Sequence, residues 1–282
     1  MAKKINLHTF HDSKYDNYEE LIDYVCTLGL QTESINFLNQ YKRLWKFASG
    51  KYISEKADSI KLPTPIYVKW NENALKNLYK NTPSDLSFYI KTLRRKHASR
   101  CCCFCGSLVT NSLDHYLPQE VYPQFVILKE NLLPICSDCN SKKNALVGSK
   151  YQRIIHPVFD DFIDDIRIKV KFIFDVRSVD FRLVVLKTLD NKNHDLVKFH
   201  YRYLLKNTEV YYSHFKALFE SYEDRCTDGE FESLFTLLEE FKTQENISYK
   251  QSKTYNNWDT IFYRSIQADI EALQHLLHCM YP

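Results

Sequence analysis

Two Cys-x-x-Cys pairs, Cys102–Cys105 and Cys136–Cys139, constrain this chain more than any other feature. The second begins thirty-one residues after the first ends. Each pair sets two thiols on one tight turn, and two such turns can place four thiolates tetrahedrally around Zn²⁺. Gly106 follows the first pair and can take the positive φ that turns backbone N–H groups toward sulfur. The spacing predicts a structural zinc on Cys102, Cys105, Cys136 and Cys139, holding a segment too small to bury a core of its own. The first pair lies inside SRCCCFCGS, so a register using Cys101 or Cys103 in place of Cys102 stays open. Cys26, Cys226 and Cys279 stand alone and read as small core hydrophobes.

Thiols serve as metal ligands rather than disulfides where the compartment is reducing. The opening MAKKINLHTFHDSKYD has no apolar signal core, and no run is long enough to span a bilayer, so a cytoplasmic chain with no membrane segment is expected. No GxGxxG or GxxxxGK[ST] loop occurs, so the chain brings no nucleotide-cradling phosphate loop of its own. Net charge is +3, but its distribution is uneven. From Lys91 to Arg153 ten basic residues face four acids, while the remainder of the chain is slightly acidic. A positive field on the cysteine-bearing stretch points to a polyanionic partner. Lys91, Arg94, Arg95, Lys96 and Arg100 are candidate contacts to a nucleic-acid backbone, with Lys142 and Lys143 beside the second cysteine pair.

The rest of the chain reads as α+β and predominantly helical. Helical periodicity runs through 15–49 in two segments, the second capped by Thr32, and KLPTPIYVKW is a proline-broken connection. Helices resume at NENALKNLYKN and, after a Ser84 cap, at SDLSFYIKTLRRKHAS. DIRIKVKFIFDV and SVDFRLVVLKT alternate apolar and polar residues and predict a β-hairpin. Helical patterns follow at 195–222 and 230–243. A final helix from Asn257 carries Trp258, Phe262, Ile266, Ile270, Leu273 and Leu277 along one face. Three regions result: a helical N-terminal part over 1–99, the cysteine-bracketed segment over 100–157, and a hairpin with helices over 158–282. The aromatics Tyr201, Tyr203, Tyr211, Tyr212, Phe215 and Phe219 read either as core or as a surface for a partner.

Between the cysteine pairs, LDHYLP sets Asp114 beside His115 at the end of a strand-like stretch, and ENLLP returns toward the second pair. A short helix from Ser137 to Val147 would carry Asn140 directly after Cys139. If zinc joins the two ends, the hairpin folds back and Asp114, His115 and Asn140 can converge. A carboxylate and a carboxamide oxygen are hard ligands suited to Mg²⁺ or Mn²⁺. A neutral imidazole can take a proton from an attacking water near neutral pH. Together they form a set able to hydrolyse a phosphodiester, provided a twisted strand end lets neighbours on opposite faces act together.

The order C-x-x-C, D-H-x-x-P, N-L-x-x-x-C-x-x-C-N-x-x-K over residues 100–157 resembles the ββα-metal motif of HNH endonucleases, in the subgroup whose third letter is Asn. The resemblance implies His115 as general base, Asp114 and Asn140 as ligands of the catalytic metal, and Asn131 as the residue bracing the connecting loop. Lys143 fits the family's lysine after the second pair. The wider combination of DHYLP, YPQF, NLLPICSDCNSKKN, HPVFDDF and NNWDTIFYRSI resembles HNH subunits of bacterial phage-defence systems of the Septu type and of the retrons that share the pair. That resemblance implies an ABC-type ATPase partner, DNA or transfer RNA as substrate, and in retron-type systems a reverse transcriptase with its non-coding RNA. The alternative reading is a catalytically silent zinc module that binds nucleic acid or scaffolds such an ATPase.

Overall fold

The computed structural model describes residues 3–5, 15–62, 68–97, 101–108, 110, 112–146, 148, 152–175, 178–187, 189–205 and 209–282. Among these the chain is α+β and mostly helical, with two separate two-stranded antiparallel sheets. It packs as two compact units that interleave in sequence. One comprises Ile5–Ser99 and Thr110–Asp160, the other Met1–Lys4, Arg100–Val109 and Asp161–Pro282. The stretch 100–157 thus gives residues 100–109 to the second unit and the rest to the first. No helix among the described residues is long and apolar enough to cross a membrane.

The first unit begins with α1 (Tyr18–Val25), whose N-cap Asn17 accepts the N–H groups of Glu19 and Glu20 through its side chain. Next come α2 (Thr32–Ser54), α3 (Val68–Lys80) and α4 (Ser84–His97). Thr32 and Ser84 are the first helical residues rather than caps, and Gln31 before α2 makes no side-chain cap bond. α2 runs past the expected end at Ser49 because its inward face continues through Trp45, Ala48 and Tyr52, all buried. α3 starts ahead of the expected Asn71, and the proline-broken connection over 63–67 lies outside the described residues. Leu38, Trp45, Leu75, Leu86, Tyr89 and Leu93 form much of the apolar core.

Against this core lie β1 (Ser112–His115) and β2 (Leu132–Ile135), paired so that Asp114 faces Leu133 and His115 faces Leu132. Between them the chain makes a short 3-10 turn at Pro123–Phe125. After β2, α5 (Ser137–Lys143) is shorter than the expected helix to Val147. It stops where Asn144 takes a positive φ of 41°.

In the second unit β3 (Ile168–Asp175) and β4 (Ser178–Val185) form the expected hairpin. Ile168, Val170 and Phe172 point inward while Lys169 and Lys171 are exposed. The helices are α6 (Asn191–Leu204), α7 (Glu209–Thr227), α8 (Leu234–Ser252), α9 (Trp258–Ile266) and α10 (Ile270–Met280). The pattern over 195–222 is therefore two helices. The final amphipathic stretch also breaks, because Asp269 caps α10 through the N–H of Ala272, so Ile270 turns outward at 72% exposure. Phe172 is the hub of the core, with ring centroids of Phe181, Phe219 and Phe262 each 5.7 Å away. Phe215 and Phe219 are buried in this core, whereas Tyr203 is exposed.

Candidate functional site

Asp114, His115 and Asn140 line one open hollow of about 330 Å³. Asp114 and His115 are the last two residues of β1, and Asn140 comes from α5. Along β1 burial alternates, with Asp114 half-buried and His115 buried, yet both reach the hollow at the strand's end. Pro118, Gln119 and Glu120 close it on the side where the chain leaves β1.

His115 is only 5% exposed. Its Nε2 lies 2.9 Å from the carbonyl oxygen of Val126. A carbonyl can only accept, so Nε2 carries the proton and Nδ1 keeps its lone pair. Tyr79 packs edge-on against the imidazole at 4.6 Å and donates its hydroxyl to the Leu113 carbonyl. Burial holds the His115 pKa below the ordinary 6.5, against the upward pull of the Val126 carbonyl and the Asp114 charge. The ring is therefore neutral near pH 7.

Lys143 does not face solvent. It is 1% exposed, and its ammonium lies 2.9 Å from Asp114 Oδ2 and 2.6 Å from the His115 carbonyl. A buried ammonium is tolerable when it is paired and hydrogen-bonded, and here it fixes the strand end from two sides. Of the other basic candidates, Lys91, Arg94 and Arg95 are exposed on α4 and Lys142 is half-buried. Arg94 lies over the ring of Tyr79, 5.9 Å from its centroid. The Lys96 side chain and Arg100 fall outside the described residues.

Asn131 is fully buried and does not line the hollow. Its amide nitrogen donates to the carbonyls of Leu117 and Phe125, at 3.2 and 3.1 Å. Its amide oxygen accepts the Leu117 N–H at 2.8 Å and the Tyr52 hydroxyl at 3.0 Å. Its backbone carbonyl takes the N–H of Tyr116, the residue after His115. The loop leaving β1 is thus fastened to the residue that starts the return.

This fastening extends further. His156 Nδ1 accepts the N–H of Val158, so its Nε2 proton points at the Tyr52 hydroxyl, 3.2 Å away. Burial, then the Arg153 charge, hold His156 well below the ordinary imidazole range. Arg153 grips Asp160 through two bonds of 2.7 Å, and Asp160 also accepts the His156 N–H. Sequence reading did not single out Tyr52, Arg153 or Asp160. The only signal for Tyr52 was its place on the inward face of α2, one helical step beyond Trp45 and Ala48.

The thiols of Cys102, Cys105, Cys136 and Cys139 all lie within 4.8 Å of one another and are buried. Cys105 Sγ accepts the Ser107 N–H at 3.4 Å and Cys136 Sγ the Cys139 N–H at 3.5 Å, while Gly106 takes φ 83°. Buried thiols with N–H donors on sulfur match the donor set of a structural zinc, and this cluster can hold one. Cys101 and Cys103 are also buried but outside the cluster. The first turn is gripped through its carbonyls: His200 donates to Phe104 at 2.8 Å and the Trp258 indole to Cys105 at 2.7 Å.

The chain is 39% identical over 62 residues to Protein ea31 of Escherichia phage lambda, covering 21% of each chain. It is 34% identical over 77 residues to Septu protein PtuB of Bacillus thuringiensis, covering 26% of this chain and 30% of that one. It therefore spans less than a third of the length of either relative. No family model matches the chain, and no solved structure does.

Proposed function

We propose that this chain is a divalent-metal-dependent HNH endonuclease, acting in the cytoplasm as the effector of an anti-phage system beside an ABC-type ATPase. The observation that carries the reading is the meeting of Asp114, Asn140 and a neutral His115 with an unprotonated Nδ1 on one hollow. Partial similarity to a Septu protein supports the system-level part.

His115 Nδ1 takes the proton of the attacking water, and the Val126 carbonyl keeps the ring in the required tautomer and orientation. The Asp114 carboxylate favours the imidazolium that results. The oxygens of Asp114 and Asn140 would hold Mg²⁺ or Mn²⁺, which when bound would supply charge stabilisation to the oxyanion leaving on the sugar. Lys143 orients Asp114, and Asn131 sets the loop that follows His115. Zinc on the four cysteines is structural. The exposed cations of α4 suit the backbone of the substrate, DNA or transfer RNA.

Purified protein is offered duplex DNA and transfer RNA with Mg²⁺ or Mn²⁺, alone and with the neighbouring ATPase. His115→Ala is expected to lower cleavage by about 10²–10⁴-fold with zinc content unchanged. Indifference to that substitution would make the chain a binding module instead.

A further inference from the structure

A second group of metal-binding side chains lies in the hairpin-and-helix unit. His275 and Cys279 are four residues apart on α10, which stacks them on one face. Glu223 projects from the neighbouring α7, with its Oε1 2.6 Å from His275 Nε2. One imidazole nitrogen, one carboxylate oxygen and the Cys279 sulfur all lie within 4.8 Å of one another. We propose that Glu223, His275 and Cys279 form a second zinc site, with three protein ligands and one exchangeable position.

The donor chemistry favours zinc, which takes nitrogen, oxygen and sulfur together, whereas Mg²⁺ and Ca²⁺ take oxygen. Bonds of about 2.0–2.3 Å at tetrahedral angles put donors roughly 3.3–3.8 Å apart. The Glu223–His275 contact reaches that by opening about 0.7 Å, and the Cys279 sulfur by closing from at most 4.8 Å, both by side-chain rotation. The imidazole is already oriented, because the rings of Phe174 and Phe219 flank it at 5.2 and 5.7 Å. Cys226, one turn from Glu223 on α7, is outside the set; burial pushes its thiol up to about 11.

Glu223 and His275 also line a cavity of about 350 Å³ walled by Phe174, Phe181 and Phe219. The fourth position of the metal would open onto this space and take water or an exchangeable ligand. Unlike the buried four-cysteine cluster, the three ligands are half-exposed, so this zinc exchanges with the surroundings.

The full chain is stripped of metal, dialysed against micromolar free Zn²⁺, and its zinc measured by mass spectrometry beside Glu223→Gln, His275→Gln and Cys279→Ser. Wild type is expected to hold one equivalent more than each variant. The readout is a difference, so it does not depend on whether the four cysteines are loaded. Glu223→Gln keeps the shape of the side chain and guards against a folding artefact. With Co²⁺ in place of zinc, the wild-type-minus-Cys279→Ser spectrum should show a single-thiolate charge-transfer band. Equal zinc in wild type and Glu223→Gln, or no such band, overturns the site.

Discussion

β3 and β4 pair eight residues with eight, whereas β1 and β2 pair four with four, and one of those is Pro134, which has no N–H to give. The long hairpin presents Ile168, Val170, Phe172, Phe181 and Leu183 to an aromatic core, while Lys169, Lys171, Asp180 and Arg182 are exposed. The short one has too few ladder bonds to persist alone. It is fastened by the Asn131 amide, by Lys143 on the His115 carbonyl and by the cysteine turn that follows Ile135. Apolar burial holds the first; the second adds satisfied polar groups and a metal-ready turn to the burial of Leu113, Leu132, Leu133 and Ile135. Asp114 and His115 sit on the second, and Asn140 follows it on α5. Such a hairpin can end in polar side chains facing a hollow because its stability does not depend on filling that hollow.

The contrast is broken or sharpened first by removing metal. Stripping zinc with a chelator, or Cys136→Ser, withdraws a binding free energy of about 10–16 kcal/mol in isolated zinc modules. Amides of 112–115 and 132–135 should lose hydrogen-exchange protection while 168–175 and 178–185 keep theirs. Equal loss in both hairpins would erase the distinction. Next, Phe172→Ala should cost about 3–5 kcal/mol in denaturant unfolding of the long hairpin's unit, with cleavage retained. A cost within experimental error would remove apolar burial as its support. Asn131→Ala strands two carbonyls, an N–H and a hydroxyl and should cost roughly 2–3 kcal/mol, with cleavage falling alongside. Intact melting and activity would end the idea of a polar fastening.

The smallest effect is a pH dependence. His115 and His156 both have folded pKa values below the ordinary 6.5. The unfolded chain therefore binds protons first as pH falls. Stability is full above about pH 6.5 and declines below it, by up to about 1.4 kcal/mol per pH unit for each histidine. Both lie in the unit that holds β1 and β2, so exchange in that hairpin should rise on going from pH 7 to 5.5 before exchange in β3–β4 does. The acid limb of the cleavage profile should likewise fall below pH 6.5. A limb above that value would contradict a buried neutral His115.

The long hairpin was plain in the sequence because a half-buried strand writes its face at every second residue. The short hairpin has no such record: β2 is buried throughout, and β1 is four residues long. It was legible only through residue types whose chemistry is narrow, namely the cysteine pairs, Asp114–His115 and Asn140. Two details escaped because they depend on distant partners: Tyr52 reaches Asn131 across 79 positions, and Lys143 turns inward onto Asp114. The break at Asp269 is a local cap that interrupts a stripe reading as continuous. Thr32 and Ser84 have the right chemistry for caps but fall one residue inside their helices.

The amide of Asn131 donates twice and accepts twice within one buried cavity, and His156 and Tyr52 fix which end is which. Few side chains of that size can do both. Aspartate has the same outline but, once ionised, offers only acceptors, so it would set an oxygen against the carbonyls of Leu117 and Phe125. Leucine has the same branching and number of heavy atoms, is bulkier, and offers nothing. Position 131 is therefore selective by bonding logic rather than by shape: the isosteres that a packed core tolerates most readily are the ones this pocket rejects. In a library of all substitutions there, function should vanish even for replacements that leave the volume untouched.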